Sequence, residues 1–264
     1  MSPREPAPLP AAFSDLPFGA ADLRRAGVSV ERTRRADLRR VSQGLHRARE
    51  AERGEWADLG YPVDPLPWVP EEAAAVVPLT GGVVSHLSAL LLHRLTVPPW
   101  VRPDGRLHVS RRHGRGVCDR SRVATHGRSV PQEDVVALHG IAVTSVERTW
   151  LDLASLMSRG PVDPLVIAGD ALVNRPWIAG DGRRGEPVTS VESLRAALRR
   201  AGRFKGVRAA RAALDLVRVG ADSPPETELR LALVDAGLPE PELQVSGDPG
   251  DRFAPIADLG DRDW

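Results

Sequence analysis

The chain has 264 residues, 42% of them hydrophobic and 27% charged, with a formal net charge of +1; this suits a folded protein large enough for two domains. No run of about 18 apolar residues occurs, and the start of the chain lacks a hydrophobic signal region, so neither a membrane span nor a secretory signal is legible and a cytoplasmic location is the simplest expectation. Cys118 is the only cysteine, which excludes an internal disulfide and a cysteine-based zinc site.

The small net charge hides a segregated distribution. Eight arginines between Arg102 and Arg128 face only Asp104 and Asp119, and ten basic residues between Arg183 and Arg218 face Glu186, Glu192 and Asp215. From Ala221 onward the balance reverses, with eleven acidic residues against Arg230, Arg252 and Arg262. Such asymmetry predicts a polyanion partner for the basic stretches, although solvated Arg-rich helix faces give the same count. Lys205 is the only lysine, so every other basic side chain that is charged at neutral pH is a guanidinium, able to grip phosphate with two donors.

Residues 1–14, with Pro3, Pro6, Pro8 and Pro10, read as a disordered leader. Residues 15–58 read as a winged-helix-like unit. A short helix from Phe18 to Ala26 stops at Gly27, and Ser29 caps a second helix from Val30 to about Gln43. On that helix Arg32, Arg35 and Arg39, with Arg34 and Arg40, project from a frame in which Val30, Leu38 and Val41 face inward, and Gly44-Leu45-His46-Arg47 reads as the turn into a wing. Arg32, Arg35, Arg39 and Arg40 are therefore candidate DNA contacts in a major groove. An ordinary amphipathic helix hairpin has the same spacing.

Residues 59–78 carry Pro62, Pro65, Pro67 and Pro70 and read as a linker. Ser85 to Leu95 predicts an apolar helix bearing His86 and His93, with no third ligand near enough in sequence to suggest a metal. Arg106 to Arg111 alternates as a half-buried strand with Leu107 and Val109 inward. Further strands are expected at Val117 to Thr125 and at Val135 to Val143, the latter broken by a turn at His139-Gly140. Arg106, His108, Ser110, Arg120, Arg122 and His126 would face outward. Of these, Arg106, His108, Arg120 and Arg122, together with Arg111, are candidates for holding phosphate or an acidic partner.

Val-Thr-Ser-Val-Glu occurs twice, at Val143 to Glu147 and at Val188 to Glu192. Thr followed three residues later by Glu is a capping box, so both copies are expected to open helices, Ser145 to Leu156 and Val191 to Arg200. Arg148 and Asp152 on the first are spaced as a supporting ion pair. A basic helix over Val207 to Val217 follows. Ser223-Pro224-Pro225-Glu226 opens another helix, and Phe253 to Leu259 reads as a strand carrying Asp258.

Several of these segments together resemble AbiEi-like antitoxin and regulator proteins: Leu38 to His46, Val84 to Ala89, Leu107-His108-Val109, Gly140 to Ser145, Glu147 to Ala154 and Ser223 to Arg230, in that order. The resemblance implies an α/β (α+β) chain with an N-terminal winged-helix-like unit, a small mixed α/β domain over 79–219 and, over 220–264, the start of a Vsr-like domain of the restriction-endonuclease superfamily. It also implies DNA as a partner, and a cognate toxin-like protein as a further one. Glu226 and Asp258 fall on that superfamily's metal-binding and catalytic positions, where paired carboxylates would hold Mg²⁺ on a phosphate. No counterpart of the next acidic strand precedes Trp264, so the resemblance implies an incomplete nuclease, active only in a longer parent or after complementation. Glu226 is equally placed to serve a capping box with Ser223. Residues after about Pro239 are expected to be poorly ordered or packed on the preceding domain. A DNA-binding regulator is the leading expectation. A Mg²⁺-dependent endonuclease and a protein-interaction module without nucleic-acid affinity are the alternatives.

Overall fold

The computed structural model describes residues 8–13, 16–49, 70–95, 100–102, 104–112, 122–138, 140–157, 160–178, 183–246 and 256–260. The protein is of the α/β class and divides into two compact units, one formed by Met1–Val97 with Arg102–Thr144, the other by Pro98–Val101 with Ser145–Trp264. The mixed domain expected over 79–219 contributes to both.

The first unit opens with structure where a disordered leader is expected. Ala11–Phe13 forms a 3₁₀ turn, and the Phe13 ring lies 4.9 Å from Phe18, joining a small core with Leu23 and Leu38. Phe18–Gly19 is a strand (β1), and the helix that follows, α1, covers only Ala20–Arg25, because the Gly19 N–H donates to the Asp22 carboxylate at 2.7 Å and sets the start there.

The second helix of the expected winged-helix unit does not form. Ser29 does cap, its hydroxyl accepting from the Glu31 N–H, but what it starts is a 3₁₀ turn over Val30–Arg34. Leu38–Ser42 (β2) and Leu45–Ala48 (β3) then make an antiparallel hairpin through Gln43-Gly44, with Gly44 at φ +75°, and β1 joins the far side of β3. Buried Leu38 and Val41 are three apart, which imitates a helix face. A bulge between Arg40 and Ser42 resets the strand's two-residue alternation and lets both point inward.

Pro70–Thr80 is a helix (α2), correcting the end of the expected linker. Ala73, Val76 and Val77 are its buried face. It packs on a mixed sheet of Val83–Val84 (β4), Leu107–Arg111 (β5), Val123–Gly127 (β6), Val135–Leu138 (β7) and Ile141–Thr144 (β8), ordered β6-β5-β4-β8-β7. Pairing is antiparallel for β4 with β5 and for β7 with β8, and parallel for β4 with β8 and for β5 with β6. Gly82 is where this sheet closes on itself: a Cβ there would stand 2.5 Å from Val109 and 2.6 Å from the Ser110 carbonyl. The apolar helix α3, His86–Leu92, is fully buried against β5.

The second unit is mainly helical: Val146–Leu156 (α4), Asp163–Val173 (α5), Val191–Ala201 (α6), Val207–Leu216 (α7) and Pro224–Asp235 (α8). Two short hairpins complete it, Trp177–Ile178 (β9) with Arg183–Arg184 (β10), and Glu242–Ser246 (β11) with Ile256–Gly260 (β12). Trp150 on α4 is the largest buried side chain among the described residues, its indole N–H donating to the Leu165 carbonyl at 3.0 Å. Both repeated pentapeptides do start helices, but the caps sit one residue later than expected. Ser145 accepts from the Arg148 N–H and Ser190 from the Ser193 N–H. The expected Arg148–Asp152 pair is present at 3.0 Å, wholly buried.

Candidate nucleic-acid interface

The sequence-predicted DNA contacts in the first unit are mostly committed to holding the fold. Arg32 is buried and grips Asp37 through both terminal nitrogens, a pairing that holds the Asp37 carboxyl below its usual range. Arg39 pairs with Glu72, a carboxylate almost wholly buried on α2. Arg40, on a strand and not a helix, donates to the Ser42 carbonyl, while Arg35 is exposed. On the larger sheet Arg106 is paired with Asp104 at 2.7 Å. Arg111 is half-buried and Arg122 exposed at a left-handed φ of +66°. Arg120 lies outside the described residues.

His108 and Ser110, expected to face outward, are buried under α3. His108 belongs to a polar chain: its Nε2 donates to Asp104 at 3.0 Å, and its Nδ1 accepts from Nε2 of His126 at 3.1 Å, the tautomers that an ionised Asp104 requires. His86 stacks on His126 with ring centroids 3.6 Å apart. Burial would push the Asp104 carboxyl up, but hydrogen bonds from His108 and from the Arg106 amide and guanidinium bring it down to about 2. Burial, then the neighbouring His108 and Arg106, pushes the His126 imidazole down to about 4. Hydrogen bonding between imidazoles and burial against a helix explain these histidines as sheet-to-helix fasteners, together with His93, whose Nε2 donates to the Thr144 carbonyl at 2.6 Å.

Glu226 and Asp258 do not fit a Mg²⁺ site as the chain places them. One Glu226 oxygen accepts from the Asp222 N–H at 2.8 Å and the other from the Ser223 hydroxyl at 2.6 Å, so the carboxylate is used in shaping the start of α8. Asp258 is exposed on β12. The positive charge close to both is internal: Arg184 binds Asp222 through two contacts at 2.6 and 2.7 Å and reaches Gln244 on β11, with Glu226 and Asp258 adding to the field that raises its pKa. Gln244 adopts φ +56° where this contact is made. Among the described residues no three His, Cys, Asp or Glu side chains gather as a metal site.

Six exposed cations with no ion pair or hydrogen bond among the described residues gather on α6, α7 and their connection; Arg24, Arg102 and Arg112 are likewise exposed and unpaired, but scattered. Leu194 and Ala197 of α6, and Ala210, Ala213 and Leu214 of α7, are buried; both helices pack on α4 and on each other. Their outward faces carry Arg195 and Arg199, one turn apart on α6, and Arg208 and Arg211, one turn apart on α7, with Arg203 and Lys205 in the connection; the exposed acids of the two helices are Glu192 and Asp215. All six are exposed, and among the described residues none makes an ion pair or hydrogen bond. Gly206 holds this hairpin to α4. It adopts φ +91°, and a Cβ there would stand 2.3 Å from the Ala154 carbonyl oxygen. The run of charge was legible in the sequence; that acids leave it unneutralised was not. Compared with protein-family models and with curated proteins, the chain matches none.

Proposed function

We propose that this protein is a DNA-binding regulator, of the kind implied by the resemblance to AbiEi-like antitoxins, and that the α6–α7 hairpin is where it holds the phosphate backbone. The observation that carries this reading is the set of six exposed, unpartnered cations on one hairpin. Unneutralised guanidinium groups on a rigid helical surface are the electrostatic footprint of a polyanion ligand, and contacts to phosphate give affinity without sequence readout. A cognate toxin-like protein presenting an acidic face would meet the same surface.

Titration of duplex DNA at increasing salt tests this. The logarithm of the affinity should fall linearly with the logarithm of salt, and replacing Arg195, Arg199, Arg208 and Arg211 by alanine should flatten the slope by about one for each phosphate no longer neutralised. An unchanged slope in that variant would sink the assignment of this surface.

A further inference from the structure

The second unit contains a cavity of about 310 Å³ whose floor is one face of α5, with Ile167, Ala171 and Asn174, and whose wall is the start of α8. At its rim stands Trp177, 59% exposed on β9 and two residues beyond the exposed Arg175. A large aromatic side chain left in water beside a cavity is a platform with nothing stacked on it. We infer that this cavity takes a single unstacked nucleobase bearing an exocyclic amino group, stacked on Trp177. The inference rests on the nucleic-acid reading above and adds a base-binding site to it.

The chemistry of the walls selects the ligand. They carry the carboxylates of Asp170 and Asp222 and no cation, so the interior offers a phosphate or carboxylate no positive partner to offset its desolvation. Both carboxylates are already neutralised, Asp222 by Arg184 at 2.6 and 2.7 Å and Asp170 by Arg230 at 2.9 Å, so little uncompensated charge remains to draw in a cation. A neutral planar ring with hydrogen-bond donors on its edge fits what is left. Asn174 donates its amide nitrogen to Asp222 at 2.7 Å, which fixes the amide and leaves its carbonyl oxygen as an acceptor with no partner among the described residues. Adenine, cytosine and guanine offer an amino group to such acceptors, and thymine does not. The volume suits one base and its sugar, and Arg175, exposed between the lining residues Asn174 and Pro176, is a cation close in the chain for a flanking phosphate.

The test measures binding of labelled single-stranded homopolymers of deoxyadenosine, deoxycytidine and thymidine, and of a duplex, to the full chain and to Trp177→Ala and Trp177→Phe. The expected result is tighter binding of the adenine and cytosine strands than of the thymine strand. A loss of about tenfold is expected for Trp177→Ala on those strands alone, within the range for one stacked base. Trp177→Phe should keep most of the affinity, and the salt slope should not move in either variant. Equal affinity of Trp177→Ala and the parent for single strands would overturn the proposal, as would equal binding of thymine and adenine strands. Quenching of tryptophan fluorescence by an arginine-rich peptide but not by the oligonucleotides would assign the cavity to a cationic side chain and overturn it too. The two proposals fail separately. Loss of the base preference in Trp177→Ala with no slope change in the α6–α7 variant would retain the cavity and discard the phosphate surface.

Discussion

The hydroxyl of Thr189 donates to the carboxylate of Glu147 at 2.5 Å, joining the threonine of the second Val-Thr-Ser-Val-Glu segment to the glutamate of the first. The repeat is thus a contact as well as a pair of helix starts, and it ties the N-terminus of α4 to the residues leading into α6. Burial works to raise the Glu147 carboxyl, but the bonds from Thr189, from its own amide and from Ser145 outweigh it and hold the pKa below normal. Thr189→Val should cost about 1 kcal/mol in denaturant unfolding. A double-mutant cycle with Glu147→Gln should show coupling of about 0.5 kcal/mol or more. Because the folded pKa is depressed, the contribution is present above about pH 4.3 and is lost as pH falls through the folded value.

Gly206 and Gly202 both have positive φ, at +91° and +62°, but only Gly206 is crowded. Gly202→Ala should cost on the order of 1–3 kcal/mol, because φ +62° with ψ −130° lies in mirror-β space that L residues avoid. Gly206→Ala should cost clearly more, because its Cβ cannot coexist with the Ala154 carbonyl unless α7 shifts away from α4. Thermal melting of the two variants side by side checks the difference, and equal losses would contradict the packing described.

His126 makes the first unit sensitive to acid. Its folded pKa of about 4 lies below the ordinary 6.5, so below pH 6.5 the unfolded chain binds the proton first. Stability should therefore decline from about pH 6.5 to about pH 4, by on the order of 2 kcal/mol once its partial exposure is allowed for. His126→Gln, a neutral side chain that can still donate to His108, should flatten this part of the profile.

Arg230 and Asp170 form an ion pair at 2.9 Å with side chains 0% and 1% exposed, and the Asp170 carboxylate also accepts from Thr227 and from the Arg218 N–H. Arg230→Met should cost about 3–5 kcal/mol, since it strands a buried carboxylate. Combining it with Asp170→Leu should recover part of the loss. Chemical denaturation of the single and double variants distinguishes a stranded charge from a simple packing defect.

Arg39→Ala should lower stability by leaving the buried Glu72 carboxylate without its cation, and should leave the salt dependence of DNA binding unchanged. Arg208→Ala should do the reverse. These opposite outcomes separate arginines that hold the fold from those proposed to hold phosphate.

What could be read directly from the chain was local. The two Val-Thr-Ser-Val-Glu segments start helices because a hydroxyl before an amphipathic run satisfies free N–H groups, although the serines cap where the threonines are expected; Leu107 and Val109 are buried as expected, but His108 and Ser110 between and beyond them are buried as well, because α3 covers β5. The Val135 to Val143 segment, with its glycine turn, was also legible locally. The segment Val30 to Gln43 misleads because Leu38 and Val41 lie three apart, a helical interval that a bulge in β2 also produces, and a bulge is decided by the partner strand.

Charge shows the same division. Composition determined that positive charge would gather between Arg183 and Arg218, and hydropathy determined which faces of α6 and α7 turn inward. Only the tertiary structure decided which guanidinium groups are neutralised, because Asp37, Glu72, Asp104 and Asp222 reach Arg32, Arg39, Arg106 and Arg184 from other elements or across turns. An ion pair depends on a few ångströms of separation, and the order of residues does not set that distance until the chain has folded.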